Sequence, residues 1–503
     1  MVEIDPYFTA LPLERIADAA LSRARELGAD HADVRVERIR SQRLRLHDAK
    51  LRTSHENDAT GLAVRVVKSG MWGFASEVGM TPEAARTAAE RAVRIATFCA
   101  QINAIPVELA EEPCHGTRTW ISAFERDPFH VPTADKLELL SDWSRRLLAD
   151  RRIAHADASV HQVKENKFYA DSGGTTTIQE RVRIAPVARV YGSAHGRTDT
   201  MRTLAPPTGR GYEYLTGSGW DFDAELDALP DLLTDKLGAP SVEPGRYDLV
   251  VDPSNLWLTI HESVGHATEL DRALGYEAAY AGTTFATVDT LGSLRYGSDA
   301  MNVTGDRTTE HGLSTIGFDD EGVSAQSFDI VSQGRFVGYQ RDRRTTAATA
   351  DRHGTTRSNG CSYADSPSSA PIQRMANVSL QPAPGGPSTE ELIASVDHGI
   401  YVVGDRSWSI DMQRHNFQFT GQRFFRIERG TLVGQLRDVA YQAVTTEFWN
   451  SMTAVGGPQT YRLGGLFHCG KGQPGQGAPA SHGCPAALFE NVNVLNTRRE
   501  AAL

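Results

Sequence analysis

Two histidines that bracket a glutamate are the strongest candidates for chemistry in this chain. The segment from 259 to 270 reads TIHESVGHATEL. His261 and His266 are five residues apart, and Glu262 directly follows the first. Neutral imidazoles are common zinc ligands, and a neighbouring carboxylate can take a proton from a metal-bound water. The pattern indicates a metal-dependent hydrolase, although chance alone can bring two of the 16 histidines near a glutamate.

The spacing of the two histidines does not fit a regular α-helix. In the familiar zinc protease signature the histidines are four residues apart, on one helix face. Five residues turn through roughly 500°, so the second imidazole would point about 140° away from the first. A π-type turn inserts one residue and brings both to one side, and Gly265 would ease its crowding. We therefore predict a π-type irregularity between His261 and His266, on a buried helix.

A third ligand has to come from outside this helix. Glu269 and Asp271 are close in sequence, but near neighbours on a helix more often form caps or surface pairs. Cys469, in the glycine-dense stretch FHCGKGQP, is the better candidate, because backbone there can approach an ion closely. Lys471 would lower the pKa of this thiol if the two are close in space. Cys484 is the competing cysteine, and a lone cysteine is also often a small buried hydrophobe.

Composition and charge argue against several classes of function. With 503 residues the chain is long enough for about three domains. A formal net charge of -11 argues against nucleic acid as the main partner, since phosphate binding needs a basic face. We find no apolar run near the roughly 20 residues of a membrane helix, and the acidic N-terminal segment lacks a signal-peptide core. Five scattered cysteines form no disulfide framework, so we expect a cytoplasmic protein.

The order of helix and strand patterns predicts an α+β fold in three parts. Residues 1–104 contain an amphipathic helix, alternating strands and a second helix opened by Thr81 and Pro82. Residues 105–240 begin as a linker and continue as a middle α+β domain. Residues 241–503 are rich in glycine and in strand patterns. We therefore predict two N-terminal α+β units, followed by a strand-rich C-terminal domain that carries the metal-binding helix.

Five further segments combine glycines, prolines and charged residues in specific patterns. They are WGFAS at 72–76, FDDEG at 318–322, GYQRDRR at 338–344, PIQRMAN at 371–377 and CGK at 469–471. Together with the histidine segment, they resemble the TldD/PmbA family of metallopeptidases, specifically its catalytic TldD-type subunit. The resemblance runs from roughly residue 13 to 495, and HESVGH, which fits the HExxxH of that family, is its most specific element.

This resemblance implies zinc held by His261, His266 and Cys469. Glu262 would be the catalytic base that activates a zinc-bound water. The resemblance further implies a cytoplasmic zinc peptidase. A strand-rich wall beside the helix suits peptides, or unfolded or modified polypeptides, that bind in extended form. It also implies a dimer, either of two identical subunits or with a TldE-type partner that lacks the metal motif. Two departures occur: Arg414 begins a loop segment where smaller residues are expected, and the acidic residue that usually follows the CGK lysine is absent.

Two alternatives stay open. A fourth protein ligand, Cys484 or Asp271, would close the site and indicate a noncatalytic, zinc-stabilised subunit that binds peptides or organises a protease complex. Dipeptidyl peptidase III has the same histidine spacing, but its third ligand is a glutamate on a second helix, and we find no such helix pattern here. The acidic segment from Asp319 to Glu321 is more readily a turn or a support for the site than a second metal site.

Overall fold

Two seven-stranded sheets organise the chain in the computed structural model, which describes residues 3–102 and 105–500. The predicted domain boundary at residue 104 and the first two residues of the N-terminal segment lie outside these ranges. Helices alternate with strands in the first half and strands dominate the second, so the predicted α+β fold is confirmed. Within the described residues, no helix is long and apolar enough to cross a lipid bilayer.

The first sheet runs across both predicted N-terminal units. Its strand order is β3-β2-β1-β5-β6-β4, with β7 paired to β6, and β1 pairs with β5 along most of its length. The strands of the two units therefore hydrogen-bond within one continuous sheet. The elements of this half are α1 Pro6–Thr9, α2 Leu13–Glu26, β1 His31–His47, β2 Lys50–Lys68, β3 Met71–Glu77, α3 Pro82–Cys99, β4 Thr117–Ile121, α4 Thr133–Leu148, β5 Ile153–Asp171, β6 Thr176–Ala194, β7 Arg197–Arg202 and α5 Phe222–Gly238.

Small side chains let two helices lie close to this sheet. α2 and α3 bury alanine-rich faces against β1 to β3, because alanines recur there at helical spacing. Gly73 on β3 allows the closest approach: a Cβ at this position would lie 1.8 Å from the carbonyl oxygen of Ala92. α4 and α5 pack with larger side chains, among them Trp143 and Phe222, whose ring centroids are 4.8 Å apart.

The second half of the chain is rich in strands, as predicted. Its elements are β8 Gly245–Val251, α6 Pro253–Ile260, α7 Leu270–Ala273, β9 Val303–Asp306, β10 Ser327–Ser332, β11 Arg335–Phe336, α8 Arg343–His353, β12 Ser362–Tyr363, β13 Ile372–Gln373, β14 Asn377–Leu380, α9 Thr389–Ala394, β15 His398–Ile410, β16 Asn416–Glu428, β17 Thr431–Leu436, β18 Val439–Val444, α10 Thr445–Asn450, β19 Met452–Val455, β20 Arg462–Lys471, β21 Gln476–Cys484, β22 Ala487–Asn496 and α11 Thr497–Glu500.

Five strands of the second sheet pair in a closed ring. β8 pairs with β15 and β22, β22 pairs with β18, β18 pairs with β16, and β16 pairs back to β15. Aromatic side chains dominate the adjoining core, including Phe417, Phe419, Tyr441, Phe448 and Phe489. α6 follows directly after β8 and packs against β15 and the separate β20–β21 hairpin. The ring therefore fixes the start of the histidine helix, and the hairpin lies alongside it.

The acidic segment that the sequence singles out joins the two halves of the chain. Asp320 accepts a hydrogen bond from the Lys167 ammonium of β5 at 2.7 Å, and Glu321 accepts one from the Arg65 guanidinium of β2 at 2.9 Å. The Asp319 carboxylate accepts three backbone N–H groups instead. All three acidic residues are buried. The segment is thus a buried turn whose ion pairs attach the strand-rich second half of the chain to the first sheet.

The close contact at Gly73 generates a stability prediction. We expect Gly73→Ala to lower the free energy of unfolding by about 1–3 kcal/mol, because β3 and α3 must separate to admit the methyl group. Urea unfolding followed by circular dichroism measures the change. Gly477→Ala is the matched control, since a Cβ there meets no atom within 4 Å. Equal unfolding midpoints for the two variants would contradict the packing argument.

Candidate metal centre

The helix that carries the two histidines widens between them. α6 begins at Pro253 after Asp252, whose side chain accepts a hydrogen bond from the Ser254 N–H at 2.8 Å. The regular helix then gives way to a π-helical turn from His261 to Gly265. The predicted irregularity is therefore present. It brings the imidazole rings of positions 261 and 266 to a centroid distance of 4.7 Å.

Three side chains, two of them from other segments, satisfy the last carbonyl groups of the widened turn. The carbonyl oxygens of residues 263–265 accept hydrogen bonds, in order, from the Tyr296 hydroxyl, the Thr268 hydroxyl at 2.8 Å and the Gln340 amide at 2.7 Å. Gln340 is held in turn, because its amide oxygen accepts the Ala376 N–H at 2.8 Å. A buried carbonyl without a partner costs about 1–3 kcal/mol, so these donors stabilise the turn.

Gly265 also serves packing between the widened turn and the segments that cross it. A Cβ at this position would lie 2.6 Å from the sulfur of Met375 and 3.6 Å from the His482 ring. Its φ of -53° is an ordinary helical value, so no left-handed backbone is needed here. The absence of a side chain therefore makes room for the segment that packs across the turn.

Cys469 reaches the histidines from the β20–β21 hairpin. The strand register shifts between Leu466 and Cys469, and such a bulge can re-aim a side chain. The Cys469 sulfur lies 3.3 Å from His266 Nε2, and ligand atoms of Cys469, His266 and His261 all lie within 4.8 Å of one another. All three residues are buried. Arg374 holds the hairpin in place by donating to the Cys469 carbonyl oxygen at 2.6 Å.

Hydrogen bonds place the proton on the outer nitrogen of each imidazole. His482 Nδ1 lies 2.8 Å from the Val378 carbonyl oxygen, which can only accept, so His482 Nε2 is an acceptor. His261 Nδ1 lies 2.7 Å from that Nε2 and therefore donates to it. His266 Nδ1 donates to the Glu269 carboxylate at 2.8 Å. The Nε2 atoms of both histidines therefore keep their lone pairs for a metal ion, in the way that outer partners commonly orient metal ligands.

Burial decides the charge states of the ligand groups. Burial lowers the pKa of both imidazoles, that of His266 to about 3 despite the opposing Glu269, so both rings are neutral. Burial likewise raises the pKa of the Cys469 thiol to about 11. Lys471 does lower this pKa, as the sequence predicts, but burial outweighs it. Two neutral imidazole nitrogens and a thiol that loses its proton on metal binding fit a divalent ion such as zinc.

A buried lysine holds two carboxylates behind the ligands. The Lys471 ammonium lies 2.9 Å from Glu269 Oε1 and 2.7 Å from Asp271 Oδ1. The expectation that these acids form caps or surface pairs is wrong, because both are buried and Glu269 links Lys471 to His266. Burial alone would raise the pKa of Glu269, but Lys471 and His266 hold it below its ordinary value. The carboxylate that orients His266 is thus kept ionised.

Neither alternative fourth ligand joins the group. In the part of the chain that the structure describes, the cluster around the widened turn comprises His261, His266 and Cys469 alone. The thiol of Cys484 is buried and donates to the Pro253 carbonyl oxygen at 3.5 Å, and Asp271 is paired with the lysine behind the site. If these three side chains bind a metal ion, a coordination position is left for a water or a substrate, which a catalytic metal site requires.

Glu262 lies beside the ligands, under the loop between β15 and β16. It forms an ion pair with Arg414, the residue at which this loop departs from the family pattern. Arg414 has a φ of 63°, in the left-handed region that side chains other than glycine seldom adopt. Burial raises the pKa of Glu262, whereas Arg414 and the Trp408 indole lower it. The loop therefore orients the carboxylate and partly offsets the rise in its pKa that burial causes.

Sequence reasoning missed several residues that support this centre. The sequence does not single out His482 beside Cys484. A usable signal is that His482 lies on the strand that pairs with the strand of Cys469. Gln340 and Tyr296 have no local pattern that marks them, since their partners are backbone carbonyls far along the chain. Only the placement of Gln340 inside the GYQRDRR segment hinted at a role.

Comparisons with known proteins agree with a metallopeptidase fold. The family model described as PmbA/TldA metallopeptidase C-terminal domain matches residues 244–496, and the model described as PmbA/TldA metallopeptidase domain 1 matches residues 32–96. A protein named metalloprotease from Methanothermobacter thermautotrophicus is 27% identical over 469 residues, which are 93% of this chain and 96% of the relative. These matches extend across both halves of the chain.

Two more distant relatives differ in what their names say. A protein named zinc metalloprotease TldD homolog from Saccharolobus solfataricus is 21% identical over 86% of this chain and 90% of its own length. The crystal structure of TldE from Thermococcus kodakarensis superposes with a TM-score of 0.72 at 17% identity, covering 94% of this chain and 98% of that chain. The structural likeness shows a shared fold and leaves the choice between TldD and TldE types to the site residues.

The hydrogen bond from His261 to His482 generates a prediction about metal affinity. We expect His482→Phe to weaken divalent metal binding at the buried site by about 10–100-fold, because His261 loses the acceptor that holds its proton on Nδ1. Phenylalanine keeps the ring that stacks on Trp257. Titration with Co²⁺, followed by the thiolate-to-metal charge-transfer absorption of Cys469, reads this site alone. A cobalt affinity equal to that of the control variant His415→Phe, which replaces an exposed histidine, would contradict this role of His482.

Proposed function

Because this chain belongs to the PmbA/TldD metallopeptidase family, we propose that it is a zinc-dependent peptidase of the TldD type. The observation that carries the proposal is the convergence of His261, His266 and Cys469 beside Glu262, with no fourth ligand among the described residues. In this proposal residues 241–503 form the metallopeptidase domain. A TldE-type subunit lacks the metal motif and would therefore not contain such a set of candidate ligands.

The residues of the site support hydrolysis by water with Glu262 as the general base. When bound, zinc would polarise the scissile carbonyl and lower the pKa of the attacking water. Glu262 takes a proton from that water as its oxygen bonds to the carbonyl carbon, then gives it to the leaving amine nitrogen as the C–N bond breaks. Burial raises the pKa of Glu262, which suits a proton acceptor, and Arg414 limits this rise. Glu269 and His482 hold the ligand imidazoles in one orientation throughout.

The β20–β21 hairpin supports a substrate bound in extended form. In the described residues β20 pairs with β21 alone, so its other edge has backbone groups available for a further strand. This strand carries Cys469, and Gly464 and Gly465 leave part of its length without side chains. A peptide that adds to a sheet edge gains main-chain hydrogen bonds irrespective of its sequence. We therefore propose peptides, or unfolded or modified polypeptides, as the substrate class.

The resemblance and the composition also bear on partner and compartment. We propose that the peptidase acts as a dimer, with a second copy of this chain or with a TldE-type subunit, and the similar fold of a TldE protein supports such pairing. All five cysteines are free, which suits the reducing cytoplasm. Light scattering on the purified chain, alone and with a TldE-type subunit, distinguishes the two kinds of dimer.

Replacement of the base should separate catalysis from metal binding. We expect Glu262→Gln to retain one equivalent of zinc at the buried site and to lose nearly all peptide hydrolysis, because an amide cannot accept the proton of the water. Turnover of a fluorescence-quenched unstructured peptide is measured beside the cobalt absorption of the site. Hydrolysis near the wild-type rate would contradict the role of Glu262. Absence of chelator-sensitive hydrolysis in the wild type would favour the noncatalytic peptide-binding subunit.

Replacement of the third ligand should remove metal and activity together. We expect Cys469→Ala to lose the tightly bound zinc and the hydrolysis, and Cys469→Ser to lose most of both, because a hydroxyl is a far poorer zinc ligand than a thiolate. Cys484→Ala is the matched control, since it also removes a buried thiol and should keep both properties. Circular dichroism checks folding. A full equivalent of tightly bound zinc in Cys469→Ala would show that the third ligand is wrong.

A further inference from the structure

A second cluster of metal-ligating side chains lies on the first sheet, away from the histidine helix. It consists of His47 at the end of β1, Asp48 in the β1–β2 turn and His155 near the start of β5. We propose that these three residues bind a second divalent transition-metal ion through two imidazole nitrogens and one carboxylate oxygen. This site does not depend on the proposed peptidase activity.

The geometry of the cluster brings three ligand atoms together. One ligand atom from each of His47, Asp48 and His155 lies within 4.8 Å of the other two. The two imidazole rings stack with centroids 5.2 Å apart, and the Asp48 carboxylate lies 2.8 Å from His155 Nδ1. The turn that presents Asp48 has left-handed backbone at Asp48 and Ala49, with φ of 51° and 56°.

The hydrogen bonds of the cluster leave two acceptor atoms, one of His47 and one of Asp48, facing each other. His47 Nδ1 donates to the Asp157 carboxylate at 2.8 Å, which leaves the lone pair of its Nε2 for another partner. That Nε2 lies 3.5 Å from Asp48 Oδ2, and a carboxylate oxygen is also an acceptor. Two acceptors at this distance repel unless a cation lies between them. Either a second proton on His47 or a metal ion meets this need.

The groups around the cluster are already fixed in the orientation that a metal ion requires. Asp157 is buried and accepts hydrogen bonds from the Tyr191 hydroxyl at 2.8 Å and the Arg45 guanidinium at 2.9 Å. Asp48 Oδ1 accepts the Ala156 N–H at 3.0 Å, so its other oxygen faces the histidines. A carboxylate that holds the outer nitrogen of a histidine is the usual second partner of a metal-bound imidazole.

The donor set decides the class of ion. Two imidazoles and one carboxylate suit Zn²⁺, Ni²⁺ or Co²⁺, whereas Mg²⁺ and Ca²⁺ prefer oxygen ligands alone. The cluster contains no thiol, and the His155 side chain is 56% exposed. We therefore expect weaker binding than at the Cys469 site, with water completing the coordination. The bound ion would tie the β1–β2 turn to β5, two segments that are more than 100 residues apart.

The test uses the full chain with one equivalent of zinc at the buried site, titrated with Zn²⁺ by calorimetry. We expect a second equivalent to bind, with its affinity lowered at least tenfold in Asp48→Asn and in His155→Ala. Asparagine can still accept the Ala156 N–H, so the turn should persist. His130→Ala is the control, because His130 is an exposed histidine outside the cluster and should keep the second equivalent. Peptide hydrolysis should be unchanged in all three variants.

A second measurement keeps the two sites distinct. Co²⁺ added to Cys469→Ala should give no thiolate charge-transfer band but should still bind at the cluster. If the peptidase proposal is wrong, the wild type lacks hydrolysis while metal binding at the cluster is unaffected. The proposal is overturned if the wild type binds one equivalent of zinc in total, with none added at the cluster. It is also overturned if Asp48→Asn and His155→Ala both retain the second equivalent at wild-type affinity.

Discussion

The extra residue between His261 and His266 turns the inner face of a helix into a candidate metal-ligand pair, and the helix ends just beyond this pair in a place that water does not reach. The last carbonyls of any helix have no partner within it, so other groups have to satisfy them. Here Tyr296, Thr268 and Gln340 do so, each from a different position along the chain. The widened turn therefore depends on Tyr296 and Gln340 from other segments as well as on its own neighbour Thr268.

The same dependence on distant segments holds for charge. Lys471 is fully buried, and so are the two carboxylates that it contacts, Glu269 and Asp271. Removal of one partner from a buried ion pair typically costs about 3–5 kcal/mol, because the remaining charge has no water to solvate it. The β20–β21 hairpin thus contributes a ligand, a counter-charge and, through His482, a proton acceptor. One hairpin combines three separate requirements of the centre.

Sequence could predict those features that follow from local geometry. The five-residue spacing permits a shared ligand role only with a widened turn, so the irregularity at His261 was predictable from counting alone. Helix limits at α2 and α3 followed from caps and alanine periodicity. By contrast α8 has little apolar periodicity, and its start depends on a capping box between Asp342 and Thr345. The burial of Glu269 could not be read locally, because its partner lies some two hundred positions further along the chain.

The ion pairs from Asp320 to Lys167 and from Glu321 to Arg65 have a consequence for how such proteins diverge. Each pair has its acid in the strand-rich second half of the chain and its base in the first sheet, and each is buried. A recombination event that exchanged one half between distant relatives would place unmatched charges in a dry interface. Substitution of a single member of either pair would likewise leave a buried charge in this interface without its partner. The segment that looks like a local acidic motif is therefore one side of an interface, and its other side comes from Arg65 and Lys167 on the first sheet.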